Sequence, residues 1–119
     1  MNNTKIMIIE DEVIIAFSLK SKLKRLGFDV HGPVSSGLDA VELAKIVNPD
    51  FILVDINLMG ELDGIESASM IKTIIPTRII FTTGYQDQDI KKRAADLNPV
   101  GYLIKPVKIE EVLRLIKQN

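Results

Sequence analysis

The sequence predicts a doubly wound α/β fold, a parallel five-stranded sheet with helices on both faces. Three observations predict it. Short apolar runs alternate with amphipathic stretches along the whole chain, the pattern of repeated strand–helix units. Most of the runs are near-continuous in apolar residues, as strands covered on both faces require. The connections are short, and right-handed crossovers then leave few topologies; the flavodoxin-like order 2-1-3-4-5 is expected.

Each element can be justified in turn. The strands read are Lys5–Ile9, Phe28–His31, Phe51–Val54, Arg78–Phe81 and Val100–Ile104. Between the first two, Ile15, Leu19, Leu23 and Leu26 recur at helical spacing, and Gly27 stands at a C-cap position. Ala40, Leu43, Ala44 and Val47 form a second stripe closed by Asn48-Pro49. Ile65, Ala68, Ile71 and Ile75 form a third, ended by Pro76. Ile90, Ala94 and Leu97 mark a more polar fourth helix closed by Asn98-Pro99, and Ile109, Val112, Leu113 and Ile116 complete the fifth. No internal repeat, linker or low-complexity segment interrupts the pattern.

Composition bounds the function classes. The 119 residues fit one domain, residues 1–119, large enough to bury a core without staples. A net charge of -1 gives no electrostatic reason for nucleic-acid or membrane binding. The chain has no cysteine, which removes disulfides and thiolate metal sites. No apolar run approaches the ~20 residues of a membrane span, and MNNTK lacks the features of a signal peptide. A cytoplasmic location is expected.

In such a sheet, ligands bind beyond the carboxyl ends of the strands. Strand 1 ends in Glu10-Asp11, strand 3 in Asp55, strand 4 in Thr82-Thr83 and strand 5 in Lys105-Pro106. Neighbouring strands lie about 4.8 Å apart, so these tips converge on one pocket. Carboxylates gathered there repel unless a cation neutralises them. Mg²⁺ suits them, because it takes hard oxygen ligands and tolerates retained water and phosphate oxygens. A carboxylate beside Mg²⁺, a lysine and a hydroxyl can accept a phosphoryl group, with Asp55 attacking in line.

Taken singly, each residue has an ordinary role. Glu10-Asp11 could cap the first helix, Asp55 could close a strand, Thr82 is a common strand residue, and Lys105 could be a solvated loop residue. Their joint placement at adjacent tips outweighs those roles, because independent solvated residues have no reason to converge. Elsewhere, His31 reads as structural, and Met59 and Met70 read as packing residues. Lys20, Lys22, Lys24 and Arg25 read as a solvated face, with a kinase-docking surface as the alternative.

The pieces "IMIIEDE", "FILVDINL", "DGIE", "IIFTTGY" and "GYLIKPV", in this order, resemble the receiver domain of two-component response regulators over essentially the whole chain. The resemblance implies a phosphorelay module that accepts phosphoryl from a sensor histidine kinase onto Asp55. It implies Asp11 as a direct Mg²⁺ ligand, Glu10 as its partner acid, and Asn57 as the residue whose backbone carbonyl binds the metal. Thr82 and Lys105 match the two residues that contact the phosphoryl group, and Tyr102 matches the switch aromatic. The Lys105–Pro106 bond is expected to be cis. The output is expected at the face of the fourth helix, fifth strand and fifth helix, which would bind a downstream effector or a second copy of the chain.

Three positions depart from the family pattern. Glu10 stands where many members have Asp. Met59 replaces a proline often found four residues after the acceptor, in a loop one residue longer before Asp63-Gly64. Thr83 replaces a smaller residue and narrows access to the site. Two rival functions differ in class. A haloacid-dehalogenase-like phosphatase shares the residue types, but it places its nucleophile after the first strand and needs an acid where this chain has Asn57. A degenerate receiver, acting as an interaction module without phosphorylation, has no need of the complete set of Glu10, Asp11, Asp55, Thr82 and Lys105.

Overall fold

The computed structural model describes residues 3–84 and 88–119. In chain order it contains β1 (Lys5–Ile9), α1 (Val13–Arg25), β2 (Asp29–Val34), α2 (Gly37–Val47) and β3 (Phe51–Asp55). There follow α3 (Gly64–Ile74), β4 (Arg78–Thr83), α4 (Gln88–Ala95), β5 (Gly101–Ile104) and α5 (Ile109–Gln118). The strands pair in parallel in the order β2-β1-β3-β4-β5. No helix among the described residues is long and apolar enough to cross a membrane.

Strand periodicity divides the core in two. Met7, Ile9, Ile52, Val54, Ile79 and Phe81 face α2, α3 and α4. Their alternates Ile6, Ile8, Leu53 and Ile80 face α1 and α5. Successive strand residues point to opposite faces, and both faces are covered, which explains why β1 and β3 carry almost no polar residue. The helices stop where their sequences allow it. Asn48 closes α2 in the left-handed region at φ 53°, and Gly27, at φ 94°, follows α1. Asp63 and Glu66 open α3 with a reciprocal capping box.

The structure departs from the sequence reading in three places. β2 runs on past His31 to Val34, through Gly32-Pro33. It is an edge strand, where proline is tolerated, and its register against β1 shifts between Met7 and Ile9. In α1 the buried residues are Ala16 and Leu23, while Ile15 and Leu26 lie at the margins of the stripe and are exposed. Met59 and Met70 are also exposed, so neither fills the core. His31 Nε2 lies 3.0 Å from Asp29 Oδ1, close enough for an ion pair but not aligned as a hydrogen bond.

Candidate functional site at the strand tips

β1 and β3 are neighbours and end side by side, with Ile9 opposite Val54. This brings Glu10, Asp11 and Asp55 together, each offering a carboxylate oxygen within 4.8 Å of the others'. Glu10 and Asp55 are buried, at 6% and 5% exposure. Asp55 is the last residue of a strand buried along its full length. Its carboxylate is fixed at both oxygens. The Asn57 N–H donates to Oδ1 at 2.9 Å, and Lys105 Nζ donates to Oδ2 at 3.1 Å.

The backbone behind Asp55 is equally constrained. Gly64 opens α3 against the Asp55 carbonyl, and a Cβ there would collide with that oxygen. The Gly in Asp63-Gly64 is thus required by close approach of helix and strand tip.

Lys105 crosses from the end of β5 into the acids. Its Nζ lies 2.7 Å from Glu10 Oε1, 3.1 Å from Glu12 Oε1 and 3.1 Å from Asp55 Oδ2. Its backbone N–H donates to the Thr83 carbonyl, extending the β4–β5 pairing into the loop. The Lys105–Pro106 bond is cis, as is Gly32–Pro33. Burial alone would lower the pKa of Lys105, but its bonds to Glu10 and Glu12 and the charge of Asp55 outweigh this and hold it above the usual range. Burial pushes the Glu10 carboxyl up to about 7, against the opposing pull of Lys105 and the Glu12 N–H. One ammonium thus faces three carboxylates, those of Glu10, Glu12 and Asp55. The cluster has the donor set of a hard-cation site, all carboxylate oxygen.

Thr82 stands opposite Asp55 in register. Its hydroxyl donates at 3.5 Å to the Val54 carbonyl, the outer limit of a hydrogen bond. Tyr102 lies one layer away, opposite Phe81. Its ring stacks on Phe81 at 6.0 Å between centroids, Lys91 Nζ sits 5.2 Å from its centre, and its hydroxyl reaches the Lys91 carbonyl at 3.4 Å. Its pKa is raised by burial.

Sequence reasoning missed two participants. Glu12 occupies the N-cap of α1 without capping it, and its side chain goes to Lys105 instead. The helix-capping role considered for Glu10 is also not the one found, since its Oε2 accepts the Glu12 N–H ahead of the helix. The second participant is Arg93 on α4, which reaches Asp63 at 3.2 Å. An exposed acid beside two site acids was the one available hint of Glu12. Nothing in the spacing pointed to Arg93.

A parallel sheet in the order 2-1-3-4-5, with buried acids and a lysine at its carboxyl edge, defines the class of flavodoxin-like α/β domains. Within that class the chain belongs to the response regulator receiver domain family, whose profile matches residues 6–117. It is 33% identical over 113 residues to the transcriptional regulatory protein PdtaR of Mycobacterium tuberculosis, covering 95% of this chain and 55% of that one. The chain thus spans about half the length of that curated relative. The signal receiver domain of a modulated diguanylate cyclase from Desulfovibrio desulfuricans G20 shares the fold with a TM-score of 0.92. Its identity is 40%, over 98% of this chain and 92% of that one. A response regulator protein from Burkholderia pseudomallei, solved with a phosphorylated aspartic acid, a calcium ion and citrate, has a TM-score of 0.84. It is 28% identical, over 93% of this chain and 65% of that one. Receiver domains are signalling domains of two-component systems, and this chain is one of them by sequence and fold.

Proposed function

We propose that this domain, spanning residues 1–119, is a cytoplasmic phosphorelay receiver that accepts a phosphoryl group on Asp55 from the phosphohistidine of a sensor kinase. The observation that carries this reading is the Asp55 carboxylate itself. It is buried at a strand tip, fixed by the Asn57 N–H and within 3.1 Å of Lys105. An Asp55 oxygen attacks phosphorus as the bond to the histidine nitrogen breaks, and the imidazole leaves as a neutral ring once protonated. Lys105 follows the transferring oxygens, and the Thr82 hydroxyl turns from the Val54 carbonyl to donate to one of them. Mg²⁺ held by Glu10, Asp11, Asp55 and the Asn57 carbonyl would supply further neutralisation of phosphoryl charge. The Burkholderia relative, with its modified aspartic acid and divalent cation, supports both parts of the reading.

The domain is then no turnover enzyme. It catalyses its own phosphorylation and slow dephosphorylation, and it signals through its α4-β5-α5 face to an effector, or to a second copy of itself. Direct nucleic-acid or membrane contact is not part of this function. Intact mass spectrometry after incubation with acetyl phosphate and Mg²⁺ tests it. One added phosphoryl group is expected, lost with chelator and in Asp55→Ala. Equal labelling of Asp55→Ala would refute the assignment.

A further inference from the structure

The Lys105 ammonium has three N–H donors and three carboxylate partners: Glu10, Glu12 and Asp55. Two of these, Glu10 and Asp55, are also in the group that could hold a metal ion, with Asp11; Glu12 is not in that group. A divalent cation and the ammonium would therefore draw on the same two buried acids. Only the Glu12 contact lies outside that competition.

The position of Glu12 fits such a part. It is the N-cap of α1 and its side chain makes no capping bond, so its carboxylate is given to Lys105 instead. Its backbone is set by the buried Glu10, which accepts the Glu12 N–H at 3.1 Å. Its carboxylate is half-exposed, while the Lys105 side chain is only 12% exposed. The acid thus lies on the solvent side of the lysine.

We infer that Glu12 is a positioning residue that keeps Lys105 over Asp55 when a divalent cation occupies the buried acids. This rests on the reading of Lys105 as a phosphoryl contact. With Glu12 in place, the lysine keeps one fixed anchor as Glu10 and Asp55 turn to the metal, and its other donors are aimed at the incoming phosphoryl oxygens. Without it, the ammonium is released to solvent in the metal-loaded protein but not in the metal-free protein.

Lysine ammonium protons give a nuclear magnetic resonance signal only when hydrogen bonds slow their exchange with water, so the state of Lys105 can be read directly. The experiment compares wild type and Glu12→Ala, metal-free and saturated with Mg²⁺, the signal being assigned by its loss in Lys105→Arg. Wild type is expected to show it in both states. Glu12→Ala should keep it without metal and lose it with Mg²⁺, and should take phosphoryl from acetyl phosphate about two- to fivefold more slowly, the scale of one exposed charge partner. A signal that persists in Mg²⁺-saturated Glu12→Ala overturns the inference. A merely structural role would alter both states alike. The signal needs no phosphodonor, so it judges the tether separately from the phosphoacceptor reading, which the Asp55→Ala mass measurement judges.

Discussion

β3 and α4 are held in place by different means. All five residues of β3 are buried, and it pairs in register with β1 on one side and β4 on the other. Among the residues of α4, Ala94 alone is fully buried. The polar contacts of that helix include an Arg93–Asp63 ion pair and the Lys91–Tyr102 pair of contacts; just beyond its end, the Leu97 carbonyl accepts from Lys72. Under the proposed function, the acceptor stands on a fully buried strand, while the helix expected to respond has one fully buried residue. A domain with the proposed function can hold its chemistry still and move its output, because stability is distributed unevenly through a fold.

Truncating one core residue in each region should expose this difference most strongly. Ile52 in β3 has no exposure, so Ile52→Ala should cost about 3 kcal/mol, the usual scale for a buried isoleucine that leaves a cavity. Ile90 in α4 is partly buried against the same core, and Ile90→Ala should cost about 1 kcal/mol from lost apolar burial alone. Urea unfolding of both variants, compared at a common m-value, measures the two losses. Equal losses would remove the contrast between the elements.

The same contrast explains what could be read from the sequence. β1 and β3 were legible because strands covered on both faces are apolar runs, and an acid that ends such a run marks a strand tip. The sequence alone therefore places Glu10, Asp11 and Asp55 at neighbouring strand tips, and Lys105 at the end of the last strand. The sequence reading ends β2 at His31, before Gly32-Pro33, and its place at the sheet edge lets the strand continue through the proline. Glu12 and Arg93 were not legible for another reason. Each acts through the end of a long side chain whose partner lies 93 or 30 residues away, and no periodicity encodes such a contact. Capping, by contrast, is local, and so Asp63 with Glu66 at the start of α3 carries its own signal.

Loading the site should sharpen the comparison next. Beryllofluoride with Mg²⁺ mimics the aspartyl phosphate, and it gives Thr82 an acceptor other than the Val54 carbonyl. Thr82 lies beside Phe81, on which Tyr102 stacks, and Tyr102 in turn holds Lys91 of α4. A few kcal/mol of differential stabilisation is enough to move a two-state element of this kind. Amide shifts are expected across 88–104 and into α5, with residues 51–54 of β3 changing least. Shifts confined to the loops around Asp55 would mean that the site is loaded without moving this face.

The smallest effect expected is at the ion pair between the two regions. Arg93 reaches Asp63, the N-cap of α3 at the end of the loop that follows Asp55, so the pair ties α4 to that loop. Arg93 is exposed and Asp63 partly exposed, at 54% and 33%, and a solvent-accessible pair of this kind is worth about 0.5 kcal/mol after screening. Asp63→Ala alone would confuse the measurement, because it also removes the cap that accepts the Glu66 N–H at 2.8 Å, a loss of about 1 kcal/mol. A double-mutant cycle with Arg93→Ala separates the two terms. The coupling should be near 0.5 kcal/mol at low salt and should fade as ionic strength rises. Because the tie resists displacement of α4, Arg93→Ala should also shift the α4 amides part of the way toward their beryllofluoride positions without any ligand. A coupling of zero at low salt, with α4 amides unmoved in Arg93→Ala, would show that the helix is positioned by Ala94 and Tyr102 and that the loop does not hold it.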